Sequence, residues 1–145
     1  LADDFIVSEE KGVTSDLVSA FEKNSKIQLS VMEIFGSEIS NYGVVQYNPI
    51  NGKVEGLVEK PEENLAPSNS ASIGRYVLTA EIFDILENQT VGKGGEIQLA
   101  DAINILAKEN KVETVKLKGN RFDCGSVKGY LAGINFVANK LKINN

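Results

Sequence analysis

The sequence predicts an α/β domain with a mixed β-sheet, and three observations predict it. A helical period followed by a strand period opens the chain, two apolar runs around Asn51-Gly52 read as an antiparallel hairpin, and helical and strand periods then alternate to the end. Antiparallel strands inside an otherwise alternating pattern require a sheet of mixed direction. With 145 residues, 42% apolar and 24% charged, the chain can bury one core, and one compact unit accounts for all of it.

The elements follow in order. Phe5-Ile6-Val7 is a short apolar segment, and residues 15–23 carry apolar positions at 17, 18 and 21 behind Ser15, which predicts a capped amphipathic helix. Residues 27–34 alternate as a strand, so helix and strand together suggest a βαβ unit. Residues 44–47 and 54–58 form the hairpin, and residues 62–70, rich in Glu, Asn, Pro and Ser, form an exposed loop. Strand residues resume at Ile73, Tyr76, Val77 and Leu78, and Thr79 is placed to cap a helix through 81–86. The run Gly92-Lys93-Gly94-Gly95 breaks the chain before a helix over 96–108 with apolar positions at 97, 99, 102, 103 and 106. It lacks the Lys-Ser/Thr pair of a P-loop, and Glu96 would repel a phosphate, so it reads as a turn. Residues 111–118 alternate as a strand, and residues 126–141 close the domain as a helix with apolar positions at 130, 131, 134, 137, 138 and 141.

Composition narrows the chemistry. A net charge of −5 offers no basic field to a nucleic-acid backbone. Histidine is absent and Cys124 is the single cysteine, so catalysis must run on carboxylates, lysines or metal ions, and the expected compartment is the reducing cytoplasm. No apolar run reaches the roughly 20 residues of a spanning helix, so no membrane partner is expected.

Three charged tips remain where strands are expected to end. Asp3-Asp4 can offer carboxylate oxygens to a hard cation such as Mg²⁺. Glu59-Lys60-Pro61 joins an acceptor for sugar hydroxyls to a compact cation for phosphate and a proline that sets the chain's exit. Asp123-Cys124-Gly125 places a further carboxylate beside a glycine that permits a close turn. On spacing alone each stretch reads more readily as a solvated turn, a strand end or a helix cap. Tyr42, Ser68 and Arg75 carry no message singly, and Cys124 reads as a small buried residue.

Taken as an ordered set, these stretches resemble a known family. Leu1-Ala2-Asp3-Asp4, Tyr42-Gly43-Val44-Val45, Val58-Glu59-Lys60-Pro61, Ala66-Pro67-Ser68-Asn69, Gly74-Arg75-Tyr76-Val77-Leu78, the segment from Gly95-Glu96-Ile97-Gln98-Leu99 to Ile103, and Arg121-Phe122-Asp123-Cys124-Gly125 are similar to the bacterial UTP–glucose-1-phosphate uridylyltransferases (UDP-glucose pyrophosphorylases), a branch of the sugar-phosphate nucleotidylyltransferases. The resemblance covers the whole chain. It implies a Rossmann-like fold, Mg²⁺, and formation of UDP-glucose and pyrophosphate from UTP and glucose 1-phosphate by a homo-oligomeric full-length enzyme. By position it implies that Asp3 and Asp123 hold the metal, that Asp4 sits beside the sugar, and that Gly43 offers its N–H to a sugar hydroxyl. It further implies that Glu59 accepts from two hydroxyls, Lys60 meets the sugar-linked phosphate, and Gly74 and Tyr76 line the sugar pocket.

Ser70 and Ala100 depart from the leucine and threonine common at those places, away from the proposed chemistry. The resemblance also implies that residues 1–145 are the C-terminal portion of one nucleotidyltransferase domain, truncated at the N-terminus: the sugar-binding half plus a closing helix. The family's glycine-rich nucleotide loop and uracil-reading segment would precede Leu1. The chain alone is therefore expected to be inactive or nearly so, and to self-associate through surfaces the other half would cover. A thymidylyl- or adenylyltransferase, a non-catalytic sugar-phosphate-binding subunit, and a purely structural fragment stand as alternatives.

Overall fold

A computed structural model of the chain describes residues 3–9, 11–90 and 95–142. Among these residues seven strands and four α-helices follow one another: β1 (Asp4–Ser8), α1 (Val13–Asn24), β2 (Ile27–Glu33), β3 (Gly43–Tyr47), β4 (Val54–Glu59), β5 (Ser70–Val77), α2 (Glu81–Asn88), α3 (Leu99–Lys108), β6 (Val112–Lys116), β7 (Gly119–Asp123) and α4 (Val127–Lys140). Short 3₁₀ turns at Gly36–Asn41 and Glu63–Leu65 interrupt the loops.

Five strands form one mixed sheet in the order β4-β3-β5-β2-β6, in which β2 and β6 run parallel and the other neighbours antiparallel. The predicted βαβ unit does not form, because β1 leaves this sheet and pairs antiparallel with β7 in a separate two-stranded ribbon. Strand β7 was not foreseen. Its sequence, Gly-Asn-Arg-Phe-Asp, has one apolar residue in five, and the strand exists because β1 is there to pair with it.

Alternation in β2 predicts one buried face, yet residues 27 to 31 are buried on both. Ile27, Leu29 and Val31 join Ile82, Ala102, Ile103 and Leu106 of α2 and α3 in the main core. On the opposite side Gln28 donates to the Asn24 side chain at the end of α1, at 3.1 Å, and to the Lys26 carbonyl at 3.0 Å. The sheet is thus sandwiched between α1 and the α2–α3 pair, and burying glutamine is tolerable because its amide N–H groups find partners.

Several boundaries differ from the sequence reading. Helix α1 begins at Val13 behind Gly12, whose φ of 101° suits glycine, so Ser15 lies inside the helix and does not cap it. Thr79 contributes its carbonyl to the Ile82 N–H at 3.1 Å and no side-chain cap. Helix α3 starts at Leu99, leaving Ile97 exposed. The β3–β4 turn is wider than Asn51-Gly52: the Asn48 N–H donates to the Lys53 carbonyl at 2.8 Å, and Gly52 has a φ of 69°. The turn expected over residues 92–95 falls mostly outside the described residues. On α4, Tyr130, Leu131 and Ile134 are exposed, as is Leu141 just after it, while Gly133 packs on Phe5 and Phe122, and Phe136 meets Phe122 at 5.1 Å between ring centroids. The helix follows the ribbon's aromatic face, not the wider stripe of its own apolar residues. Among the described residues no helix is long and apolar enough to cross a membrane.

One side chain finishes the exposed margin of the sheet. Strand β4 is an edge strand, and the Asn104 amide on α3 accepts from the Leu57 N–H at 2.5 Å and donates to the Leu57 carbonyl at 3.1 Å. It stands in for a missing strand. Gly56 makes the room, since a Cβ there would lie 2.7 Å from Asn104 Oδ1. Replacing Asn104→Leu strips both backbone groups of a partner and is expected to lower unfolding free energy by about 1–3 kcal/mol in urea titration.

Candidate active site

The sheet and the ribbon meet around a cavity of about 790 Å³ lined by Asp3, Asp4, Gly43, Glu59, Lys60, Gly74, Tyr76 and Asp123, among others. All eight residues singled out from the sequence border one space of small-molecule size. Neither the ribbon nor the sheet supplies all of them.

The ribbon brings the aspartates together. Register places Asp4 opposite Asp123, and one step further the Cys124 N–H donates to the Asp3 carbonyl at 2.9 Å, which makes half-buried Cys124 a backbone link. A Cβ built on Gly125 would lie 2.8 Å from Asp3 Oδ2 and 3.1 Å from Asp123 Oδ1, so both carboxylates converge on one point that only glycine leaves open. Asp123 Oδ1 accepts from the Gly125 N–H at 3.0 Å, but the α4 cap is Ser126, whose Oγ accepts from the Gly129 N–H at 3.0 Å. Asp123 is therefore not the helix cap. At Gly129 a Cβ would fall 1.9 Å from the Asp123 carbonyl oxygen, which is how closely α4 presses its first turn against the motif.

The sheet supplies the other rim. Gly43 and Glu59 are cross-strand partners, and the Lys60 N–H donates to the Tyr42 carbonyl at 3.0 Å. By the alternation of an antiparallel ladder, the Gly43–Glu59 pair is then non-hydrogen-bonded, with the Gly43 N–H directed away from β4. A Cβ at residue 43 would lie 3.0 Å from Glu59 Oε2. Lys60 itself has a φ of 45° directly before Pro61. Among the described residues the other non-glycine positions with positive φ, Ser25, Asn110 and Lys142, follow helices, whereas Lys60 ends a strand. Such a conformation costs about 1–3 kcal/mol and clusters at functional sites. The third contribution is a bulge: between the β2 partners Leu29 and Val31, β5 inserts extra residues around Gly74, whose φ is 68°. It brings Tyr76 back to accept from Ser72 Oγ at 3.2 Å.

Asp4 is tied down by two arginines. Its carboxylate is 2% exposed, and Oδ1 is paired with Arg121, accepting from Nε at 2.5 Å and contacting Nη2. Its carbonyl accepts from Arg75 Nη2 at 2.8 Å. The other oxygen, Oδ2, is buried and has no protein partner. Arg121 also donates through Nη1 to the Tyr42 hydroxyl at 2.7 Å, with its guanidinium carbon 5.0 Å from the Tyr42 ring centre. Burial works against the Arg121 charge, but Tyr42 and Asp4 outweigh it and raise its pKa. Burial likewise pushes the Tyr42 phenol up, and Arg121 offsets this only in part.

Arg121 and Tyr42 are cavity-lining residues that sequence reasoning missed, and Arg75 braces Asp4 from outside the cavity lining. Arg121 lies two residues before Asp123, so strand periodicity puts both on one face, a signal available once 119–123 is seen as a strand. Tyr42 and Arg75 have no such signal.

As for a metal, the donor set is chemically suited to Mg²⁺. Among the described residues no three of Asp, Glu, Cys and His converge. Mg²⁺ characteristically takes one or two carboxylates and completes its shell with water and phosphate, which is what the Asp3–Asp123 pair offers.

Two outcomes follow from the Arg121 network. Arg121→Met leaves the buried Asp4 charge uncompensated and is expected to cost about 3–5 kcal/mol of stability in denaturant titration. The Tyr42 phenol holds its proton more tightly folded than unfolded, so its contribution to stability is complete below the unfolded value near 10 and is lost as pH rises through the raised folded value. Absorbance at 295 nm should show a component ionising above pH 10 that Tyr42→Phe deletes.

Comparison with known proteins gives the same grouping. Residues 1–140 match the family described as nucleotidyl transferase. A protein of Pseudomonas aeruginosa named UTP–glucose-1-phosphate uridylyltransferase is 44% identical over 140 residues, which cover 94% of this chain and 50% of that one. Two crystal structures of UDP-glucose pyrophosphorylase superpose on the chain. The apo form has a TM-score of 0.87 at 38% identity over 97% of this chain and 53% of the other, and the UDP-glucose complex has 0.86 at 37% over 97% and 55%. The chain spans about half the length of the relatives it matches.

Proposed function

The chain belongs to the nucleotidyl transferase family, and from that premise we propose that it provides the sugar-phosphate and metal-binding half of a cytoplasmic UTP–glucose-1-phosphate uridylyltransferase. The observation that carries the reading is the convergence of Asp3 and Asp123 on one point in the same cavity as Glu59 and Lys60. The uridylyl reading is preferred to a thymidylyl or adenylyl one because the 44% identical relative is named a uridylyltransferase. Two aligned carboxylates also favour an enzyme over a non-catalytic sugar-phosphate-binding subunit.

In this reaction the phosphate oxygen of glucose 1-phosphate displaces pyrophosphate from the α-phosphorus of UTP, giving UDP-glucose. The attacking oxygen is already ionised near neutral pH, so no general base is required, and the protein's task is positioning and charge compensation. Glu59 accepts hydrogen bonds from two adjacent hexose hydroxyls. The Gly43 N–H donates to a third, and Asp4 lies beside the sugar. Lys60, held in its left-handed conformation, lays its ammonium on the sugar-linked phosphate. Gly74 and Tyr76 close the wall against the ring. Asp3 and Asp123 would hold Mg²⁺, which when bound supplies neutralisation of charge on the phosphates.

Isothermal titration of the chain with glucose 1-phosphate in the presence of Mg²⁺ should show one site. Glu59→Gln and Lys60→Met should each weaken it about tenfold or more, as expected for a lost charge-assisted hydrogen bond of about 1.5–3 kcal/mol. Asp123→Asn should remove the Mg²⁺ dependence. Absence of binding to the unsubstituted chain would refute the reading. Turnover of UTP and glucose 1-phosphate by the chain alone, at the rate of a full-length relative, would refute its being half of the catalytic unit.

A further inference from the structure

The aspartate pair and the hexose-phosphate clamp lie on different sheets, and a covalent route between them is long: Asp3 and Asp123 belong to the β1–β7 ribbon, while Gly43, Glu59 and Lys60 belong to the β3–β4 end of the five-stranded sheet. Resting on the functional reading above, we propose that Arg121 is the positioning residue that sets the distance between the metal carboxylates and the sugar-phosphate clamp, acting through Tyr42.

The path is short and each link is polar and directional. Arg121 stands two residues before Asp123 on β7 and binds Asp4, the neighbour of Asp3, on β1. Its third arm reaches across to the Tyr42 hydroxyl, and its plane lies by the Tyr42 ring. Tyr42 is also the residue whose backbone carbonyl receives the Lys60 N–H, and it directly precedes Gly43, the cross-strand partner of Glu59. One guanidinium therefore touches both β-strands of the ribbon and the residue on which the clamp hangs. Arginine suits this role because its planar fork fixes angles as well as distances, which an ammonium cannot do. With the Arg121 side chain 11% exposed, solvent has little access to loosen the joint. Arg75 ties the Asp4 carbonyl to β5 as well, but it reaches no residue of the β3–β4 clamp among the described hydrogen bonds.

The test uses Mn²⁺ in place of Mg²⁺ and glucose 1-phosphate as the second probe, on the 145-residue chain. Paramagnetic relaxation of the ³¹P nucleus at saturation reports the metal-to-phosphorus distance independently of affinity or global stability. Arg121→Lys retains the charge that compensates Asp4 and loses the fork, and Tyr42→Phe retains the ring and loses the hydroxyl. Thermal unfolding confirms that each variant is folded before it is measured. Each is expected to change the saturating ³¹P relaxation rate by at least about twofold, because binding constellations tolerate only about 0.5 Å of looseness and the rate varies steeply with distance. Unchanged relaxation in two folded variants that still bind both probes would overturn the proposal, since a residue that only stabilises the fold would shift the melting temperature and leave that distance alone. If the unsubstituted chain binds neither Mn²⁺ nor glucose 1-phosphate, the functional reading falls first and this one with it.

Discussion

The buried pairing of Asp4 with Arg121 is the constraint on which the site depends. Removing two charges from water is expensive, and their attraction offsets that cost only when geometry is good and the remaining donors are occupied. Here the guanidinium binds one Asp4 oxygen through two nitrogens and spends its third arm on Tyr42. Replacing a buried ion pair by apolar residues of similar volume is often neutral or stabilising for a fold. What an apolar pair cannot do is specify register and angle between a two-stranded ribbon and a five-stranded sheet. The cost in stability is intelligible if orientation is what the site requires.

Close approach of backbone is the second theme. Gly43, Gly125 and Gly129 each sit where a Cβ would intrude on Glu59, on the two aspartates or on the Asp123 carbonyl. The carboxylates remain on the surface of the cavity because the chain behind them has been thinned to backbone. Strain is concentrated at the same rim. The left-handed Lys60 before Pro61 and the bulge at Gly74 both depart from regular strand geometry, and both face the cavity. Regular strands would leave their side chains alternating across the sheet, whereas these departures turn Lys60 and Tyr76 toward one space.

The fold also shows how a sheet and a helix share edge protection. Asn104 gives β4 the hydrogen bonds of an absent neighbour, and α3 carries that asparagine while its other face supplies Ile103 and Leu106 to the core. A single helix thereby serves packing and polar satisfaction together. Helix α4 does less: it holds Phe122 and Phe5 of the ribbon and leaves Val127, Tyr130, Leu131 and Ile134 outward.

Much of this is legible in the sequence. Apolar periodicity located β2 to β6 and the four described helices, and the charged tips at Asp3-Asp4, Glu59-Lys60 and Asp123 offered candidate positions that only their likeness to a known family, taken as an ordered set, separated from solvated turns and helix caps. Helix starts were less legible, since α1 and α2 begin behind Gly12 and Ala80 with no side-chain cap for the sequence to show. Strand β7, the departure of β1 from the main sheet and the Arg121–Tyr42 joint were decided by tertiary structure alone. Each is a property of a pair rather than of a segment: Gly119–Asp123 becomes a strand when β1 lies beside it, and a surface-type residue such as Arg121 becomes a buried clamp when residues 79 and 117 positions away in the chain close on it. Local sequence determined the elements and the chemistry at their tips, and long-range pairing decided which tips face one another.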